Sequence, residues 1–278
     1  MADHDAESGY RLHVREYGRS GPPVLLLHGL GGGVSMWADV AARLAANHRV
    51  VVPDLLGFGR SPWPDVAYTP DDHLDALERT LNDLGLDAAV LDIGGHSMGA
   101  IIAAEFARRH PGRVNRVVLV SLPYYQTASE VRDTANGLGL LARMTVGDCW
   151  GARAACEVMC ALRPLFLFLA PRLARGVPPD VARDALRHNY TTYSRNLKNV
   201  IMEHSLEGAL EALADWPVHL VHGDKDRVVP IENVRPLTGK LPGWQLVVVP
   251  GGGHLLPIER PDEVVRLLAG ETGVGCSP

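Results

Sequence analysis

The chain of 278 residues is nearly free of lysine; of its 27 basic residues only Lys198, Lys225 and Lys240 are not arginine. It has no basic run, and its formal net charge is −5. An electropositive stripe for nucleic acid or for an anionic lipid surface is therefore not expected. Long apolar runs are missing as well. The densest, Pro164–Ala170 (PLFLFLA), falls far short of the ~20 residues that span a bilayer. The first ten residues, MADHDAESGY, are acidic and carry no apolar stretch, so no secretory leader and a cytoplasmic location are expected. Cysteine occurs only at Cys149, Cys156, Cys160 and Cys276. The first three share one helix face but have no histidine or carboxylate at ligand spacing. Reduced thiols packed as small apolar groups are expected, and no metal site. Phosphate-loop and dinucleotide fingerprints are absent: residues 28–33 (HGLGGG) lack the spacing and the downstream acid, so no cofactor is expected.

What is present is a rhythm of strands and helices. Arg11–Glu16 alternates at the strand period, and Pro23–Leu27 (PVLLL) is a continuous apolar run. Trp37–Ala46 has helical spacing. Arg49–Pro53 reads as a strand, Asp72–Leu84 as a helix and Ala88–Ile93 as a strand. Met98–His110 is a helix stopped by Pro111-Gly112, and Val114–Val120 is a strand. Strands joined through helices and not through hairpins predict an α/β fold with a mostly parallel sheet covered on both faces. From Tyr124 to about Leu213 no strand pattern is visible. That stretch reads as helical, with breaks at Gly137, Gly147, Pro164, Pro171 and Pro178-Pro179. The rhythm resumes with Val218–His222, Ile231–Leu241 (helical), Gln245–Val249 and Pro261–Ala269. The expected organisation is one core, residues 1–123 and 214–278, with a helical cap inserted at 124–213.

The motif that carries chemistry is Gly95-His96-Ser97-Met98-Gly99. It follows an expected strand and opens an expected helix, the context in which G-x-S-x-G is meaningful. A serine on that sharp turn is lifted clear of the sheet, and flanking side chains larger than hydrogen would collide across it. The helix start beneath it offers free N–H groups to a developing oxyanion.

With this motif, four further segments resemble the α/β-hydrolase family. Gly95–Ala100 (GHSMGA) is similar to its nucleophile elbow and residues 28–32 (HGLGG) to its oxyanion loop. Residues 54–61 (DLLGFGRS) resemble its D-x-x-G-x-G-x-S turn, 223–230 (GDKDRVVP) its acid loop and 251–257 (GGGHLLP) its histidine loop. The resemblance covers about 11–123 and 214–270. It implies Ser97 as nucleophile, His254 as general base, and Asp226 as the acid that orients the imidazole. It also implies the backbone N–H groups of Leu30 and Met98 as oxyanion donors. A serine at the elbow sets the chain apart from the haloalkane dehalogenases and epoxide hydrolases, which have aspartate there. Members of the family usually have a strand pair before the oxyanion strand. Here Arg11–Glu16 supplies one, and Met1–Gly9 is too polar to supply the other.

Rivals to these residues exist. Asp224 lies two positions from Asp226, and would then close the turn. Asp54 sits at the end of a strand on the same rim, in a motif that reads as turn architecture. His28 and His96 flank key loops and read as packing or hydrogen-bonding residues, and Trp37 as core. Within the insertion, Leu138–Ala174 is rich in Leu, Met, Phe and Cys, with Trp150. Its apolar side chains either pack cap on core or line a pocket for a hydrophobic acyl substrate. Arg153, Arg163, Arg172 and Arg175 are solvated or meet an anionic substrate group. The leading expectation is hydrolysis of a hydrophobic carboxylic ester. Close alternatives are a thioesterase or acyl transferase (or cyclase) acting on a coenzyme- or acyl-carrier-bound group, and a C–C bond hydrolase. A non-catalytic ligand-binding protein on the same fold is the opposing class. No residue pattern marks an oligomer interface.

Overall fold

The computed structural model describes residues 9–125, 130, 150–174 and 176–270. Seven strands form one sheet: β1 (Val14–Tyr17), β2 (Pro23–Leu27), β3 (Arg49–Pro53), β4 (Leu91–His96), β5 (Val114–Val120), β6 (Val218–Gly223) and β7 (Trp244–Val249). Their order is β1-β3-β2-β4-β5-β6-β7, with β1 antiparallel to β3 and all other pairs parallel. A single strand precedes β2 among the described residues.

Period-two alternation divides the apolar side chains between two cores. Leu25, Leu27, Val51, Val117, Leu119 and Leu220 point to one face. There they meet α2 (Pro70–Asp83), α3 (Met98–Arg109) and α8 (Glu207–Ala212). Val24, Leu26, Val50, Val52, Val118, Val120 and Val221 point to the other. There they meet α1 (Ala38–Leu44), α10 (Leu256–Glu259) and α11 (Pro261–Leu268). Each side chain so buried contributes about 1.5–3 kcal/mol of transfer free energy. Trp37 is fully buried in the second core.

Several expected boundaries move, for local reasons. The strand expected at Ala88–Ile93 is β4, Leu91–His96. Gly94 and Gly95 add no apolar side chain to the run, and they extend the strand by pairing with Leu26 and Leu27 on one side and with Val118 and Leu119 on the other. Helix α2 starts two residues earlier than expected, at Pro70. Thr69 caps it in a reciprocal box with Asp72, an arrangement worth about 1 kcal/mol. The segment Trp37–Ala46 is a short 3₁₀ turn, Val34–Trp37, followed by α1. Ile231–Leu241 is likewise a 3₁₀ turn, Ile231–Asn233, followed by α9 (Arg235–Lys240).

Between β5 and β6 the described residues form helices and no strand: α4 (Trp150–Ala161), α5 (Arg163–Leu173), α6 (Pro179–Asp184), α7 (Tyr190–Asn196) and α8, with a π-helical turn at Leu197–Met202. Helices α4 and α5 meet at a bend of 97°. Pro164 sits in the first turn of α5, where a missing N–H costs nothing, and Pro179 does the same in α6. Pro171 is not a break: α5 runs through it for two more residues. Gly137, Gly147, Cys149, Arg175 and Cys276 lie outside the described residues. Cys156 is buried, which pushes its thiol up to about 11, and neither it nor Cys160 is in a disulfide. Among the described residues no single helix is long and apolar enough to cross a membrane.

Candidate active site

Strand β4 delivers Ser97 to the carboxyl rim of the sheet, and α3 starts at the next residue. Ser97 has φ 52° and ψ −120°, a conformation that costs a non-glycine residue about 1–3 kcal/mol. Two backbone bonds hold it there: its N–H donates to Val120 O (2.9 Å), and its carbonyl accepts from Ala100 N–H (2.8 Å). The glycines are required by close approach. A Cβ on Gly95 would sit 2.2 Å from the Gly99 carbonyl oxygen, and one on Gly99 would sit 2.3 Å from that of Leu27. The Ser97 side chain makes no capping bond to its own helix, so the hydroxyl is free to face the site.

The loops after β6 and β7 are zipped together by Lys225 N–H to Gly252 O (2.9 Å) and Asp224 N–H to Val249 O (3.3 Å). This brings Asp226 and His254 together: His254 Nδ1 lies 2.8 Å from Asp226 Oδ2. Asp226 Oδ1 accepts from the N–H groups of Val228 and Val229, both at 2.9 Å. Burial alone would raise the Asp226 carboxyl. The hydrogen bond and charge of His254, with the Val229 N–H and His222 behind, hold it below the ordinary range, so it is an anion at neutral pH. A carboxylate accepts only, so His254 Nδ1 carries the proton and Nε2 is left as the acceptor. Asp224 is placed elsewhere: exposed, with Oδ1 accepting from Gly251 N–H at 2.7 Å. Asp54 is also away from His254. Its carboxylate accepts from Val34 N–H (2.7 Å) and Arg60 N–H (2.9 Å) and meets His13 Nδ1 (3.1 Å).

Ser97 and His254 are linked through His96, the residue before the serine. The His96 and His254 rings lie 4.8 Å apart, and His96 Nε2–H donates to the His254 carbonyl at 2.8 Å. Burial, with His254 adjacent, depresses His96 to about 3, so it stays neutral. Ser97 Oγ itself is not hydrogen-bonded to His254; in unliganded sites such bonds are often long. His28 is fully buried, and burial lowers its pKa. Its Nε2 accepts from Leu55 N–H (2.8 Å), so its Nδ1–H donates to Gly29 O (2.8 Å) and fixes the start of the 29–33 loop. Leu30 follows in that loop, and Met98 opens α3. Neither backbone N–H has a partner among the described residues.

An apolar cavity of about 610 Å³ adjoins this rim. Leu30 and Leu255 line it from the core, Phe166 and Ala170 from α5, and Val181 and Ala185 from α6 and its C-terminal end. Leu30 belongs to the 29–33 loop and Leu255 is the neighbour of His254, so the cavity reaches both loops. The arginines of this region are engaged elsewhere. Arg153 pairs with Glu157, Arg163 lies over the Trp63 ring and donates to His188 O, and Arg172 lies over Phe168.

A family model described as alpha/beta hydrolase fold matches residues 22–261. The chain belongs to that family. Among its relatives is an uncharacterized protein of Mycobacterium tuberculosis, 31% identical over 268 residues, 88% of this chain and 73% of the relative. Another is the 2-hydroxymuconate semialdehyde hydrolase of a Pseudomonas species, 29% identical over 91% of this chain and 87% of the relative. A solved thermophilic esterase from Thermogutta terrifontis superposes with a TM-score of 0.72 at 25% identity, covering 94% of this chain and 92% of that one. The chain is thus an α/β hydrolase with esterase-like relatives.

Reading the sequence did not find His222, whose Nε2 donates to Val229 O (2.8 Å) and lies 3.6 Å from Asp226 Oδ2, backing the acid loop. Nor did it find Asp184, which reaches Ser35, just past the 29–33 loop, from α6. His222 lies one residue before the end of β6, at i−4 from Asp226, a spacing that offers a signal. Asp184 has none, because its partner is 149 residues away.

Proposed function

We propose that this α/β hydrolase cleaves esters of hydrophobic carboxylic acids through an acyl-enzyme on Ser97. The observation that carries the reading is a strained, uncapped serine at a strand-to-helix elbow on the same rim as an imidazole whose Nδ1 is bound to a buried carboxylate. His254 Nε2 takes the Ser97 proton as Oγ attacks the carbonyl carbon. The Leu30 and Met98 N–H groups receive the developing oxyanion. Collapse expels the alcohol, to which His254 returns the proton. Water, deprotonated by the same nitrogen, then adds to the acyl-enzyme, and collapse releases the acid as His254 returns the proton to Ser97 Oγ. Asp226 stays ionised and stabilises the imidazolium formed in each half.

The helices within 124–213 act as a lid, and the apolar cavity beneath α5 and α6 holds the acyl chain. Its size lies within the ordinary range for small-molecule sites, and no charged side chain lines it among the described residues. The same machinery accepts a thioester, and a carrier-bound acyl group would then be the partner. Similarity to the 2-hydroxymuconate semialdehyde hydrolase favours a second reading, hydrolysis of a semialdehyde of that class in place of an ester.

The test is a panel of esters and thioesters graded by acyl length, with such a semialdehyde beside them, run on wild type and Ser97→Ala. Turnover of medium or long acyl esters that disappears in Ser97→Ala is expected. Turnover unchanged in Ser97→Ala would remove the acyl-enzyme. Activity confined to the semialdehyde would select the second reading.

A further inference from the structure

We propose that Asp184 is a positioning residue for the oxyanion loop, and that through it the chemistry at Ser97 requires α6 to be docked on the core. The proposal rests on the reading of Leu30 N–H as an oxyanion donor.

The 29–33 loop is stretched between two anchored ends. At its start, His28 is fixed by Leu55 N–H and by Gly29 O. At its end, two successive amides are held by two different buried carboxylates. Val34 N–H donates to Asp54 Oδ1 at 2.7 Å, and Ser35 N–H donates to Asp184 Oδ2 at 3.3 Å. Ser35 Oγ–H donates to the same Asp184 oxygen at 2.5 Å. Asp54 belongs to the core turn after β3. Asp184 ends α6, in the segment between β5 and β6. Both residues of the Ser35–Asp184 contact are buried, at 8% and 6% exposure, at the floor of a polar cavity of about 310 Å³ that Arg60, Arg183 and Arg187 also line.

Steric fit points the same way. The Asp184 side chain packs on the bare backbone of Gly33: a Cβ there would lie 2.8 Å from Asp184 Oδ2 and 2.9 Å from its Cβ and Cγ. The loop therefore rests against the carboxylate as well as bonding to it. Asp184 is in turn held by Arg187 (Nη1 to Oδ1, 3.3 Å), and the Arg187 carbonyl accepts from Gly59 N–H at 2.9 Å. Gly59 lies in the 54–61 turn that also carries Asp54. One short stretch, 184–187, thus ties the helical segment both to the oxyanion loop and to the turn that supports it. A buried carboxylate accepting two bonds from one residue is costly to leave unpaired, so the contact is made fully or α6 lifts away. When α6 lifts, the end of the loop loses one of its two anchors.

A fluorophosphonate probe tests this without a known substrate, because its phosphoryl oxygen occupies the oxyanion position while Ser97 is labelled. Wild type, Asp184→Ala, Asp184→Asn, Ser35→Ala and the Ser35→Ala/Asp184→Ala pair are compared as full chains. The limiting labelling rate is expected to fall roughly 10- to 100-fold in Asp184→Ala and Ser35→Ala, less than the loss of a donor outright. The probe concentration at half-maximal rate should stay within about twofold, with the pH midpoint of labelling unmoved, since His254 and Asp226 are untouched. The pair should be no worse than Asp184→Ala, and Asp184→Asn should recover most of the rate, because its amide oxygen still accepts from Ser35. Variants that lose thermal stability yet label at the wild-type limiting rate would make Asp184 merely structural and overturn the proposal. A shift of the pH midpoint would do the same. If Asp184→Ala does not fold, Ser35→Ala, which deletes one hydroxyl, decides the question in its place. Ser97→Ala is the separate control: labelling that survives there would sink the nucleophile reading, whatever the Asp184 variants do.

Discussion

Helices α3 and α5 are similar in length, and both are rich in apolar side chains, yet their surroundings are opposite. Ten of the twelve residues of α3 are buried, including Glu105. None of the eleven residues of α5 is. Leu165 is 51% exposed and Phe168 61%, while Ile102 is 0%. The difference lies in the partners. Helix α3 is covered by the sheet beneath it and by α2 and α8 beside it. Helix α5 packs on α6, and one side of it lines the apolar cavity through Phe166 and Ala170. Apolar content sets what a helix is able to bury; tertiary position decides what it does bury. Around α3 the side chains hold the fold and the elbow, and around α5 they face a space of ligand size.

The hardest blow to that division is aimed at the elbow's partners. Asp226→Asn should lower kcat/KM by about four orders of magnitude through the wrong imidazole tautomer, with little change in Tm. Asp224→Asn, whose side chain only ties two loops, should cost less than about tenfold. Steady-state kinetics of both variants checks the assignment, and equal losses would refute it. Next in size is a paired truncation. Ile102→Ala in α3 should destabilise by about 2–5 kcal/mol, whereas Leu165→Ala in α5 should stay within about 0.5 kcal/mol. Urea unfolding measures both, and similar values would erase the contrast between the helices.

A smaller effect separates the regions by pH. Burial depresses His73 and His188 to about 4 and His96 to about 3, against an ordinary 6.5. Their protons bind more readily to the unfolded chain. The stability they contribute is complete above about pH 6.5 and is lost as pH falls toward 4, by up to about 1.4 kcal/mol per pH unit for each histidine. His73, on α2, donates Nε2–H to Asn196 Oδ1 at the end of α7 at 2.7 Å. His73→Gln should lower stability at neutral pH but flatten its slope between pH 6.5 and 4.5 by one proton, while Val158→Ala on exposed α4 should leave the slope as it is. Denaturant midpoints at three pH values decide. The smallest effect belongs to the cavity: Phe166→Ala should shift the preferred acyl chain longer, changing the ratio of kcat/KM between neighbouring lengths by about tenfold with little loss of stability.

The sheet was readable because its inner strands are buried on both faces, and an apolar run such as PVLLL has few other homes. Gly95 and Gly99 could be read in advance because a glycine forced by close approach leaves a mark in the sequence. Boundaries were less readable. Gly94-Gly95 add no apolar side chain to the run, and only the two neighbouring strands keep them in β4. Thr69 and Asp72 do form a legible capping box, and it was missed because the apolar period begins later. Asp226 rests on a loop pattern that tells it from Asp224 by two positions, and the structure separates them by partner: one meets His254, the other Gly251 N–H. Asp184 was invisible because nothing in residues 179–187 differs from a solvated helix end. Its meaning comes from Ser35, which the fold brings to it.

The pairing of Val117 with Val218 joins strands whose connecting chain holds helices α4 to α8. When the chain is made from its N-terminus, β2, β3, β4 and β5 are complete, with Ser97 already on its turn, long before residues 226 and 254 exist. Ser97 and His254 therefore arrive at different times and meet only after a long loop has closed, a step that is slow because so much chain must be ordered first. A nascent or truncated chain in this way holds Ser97 on its elbow without the Asp226–His254 pair that the whole sheet brings to the same rim.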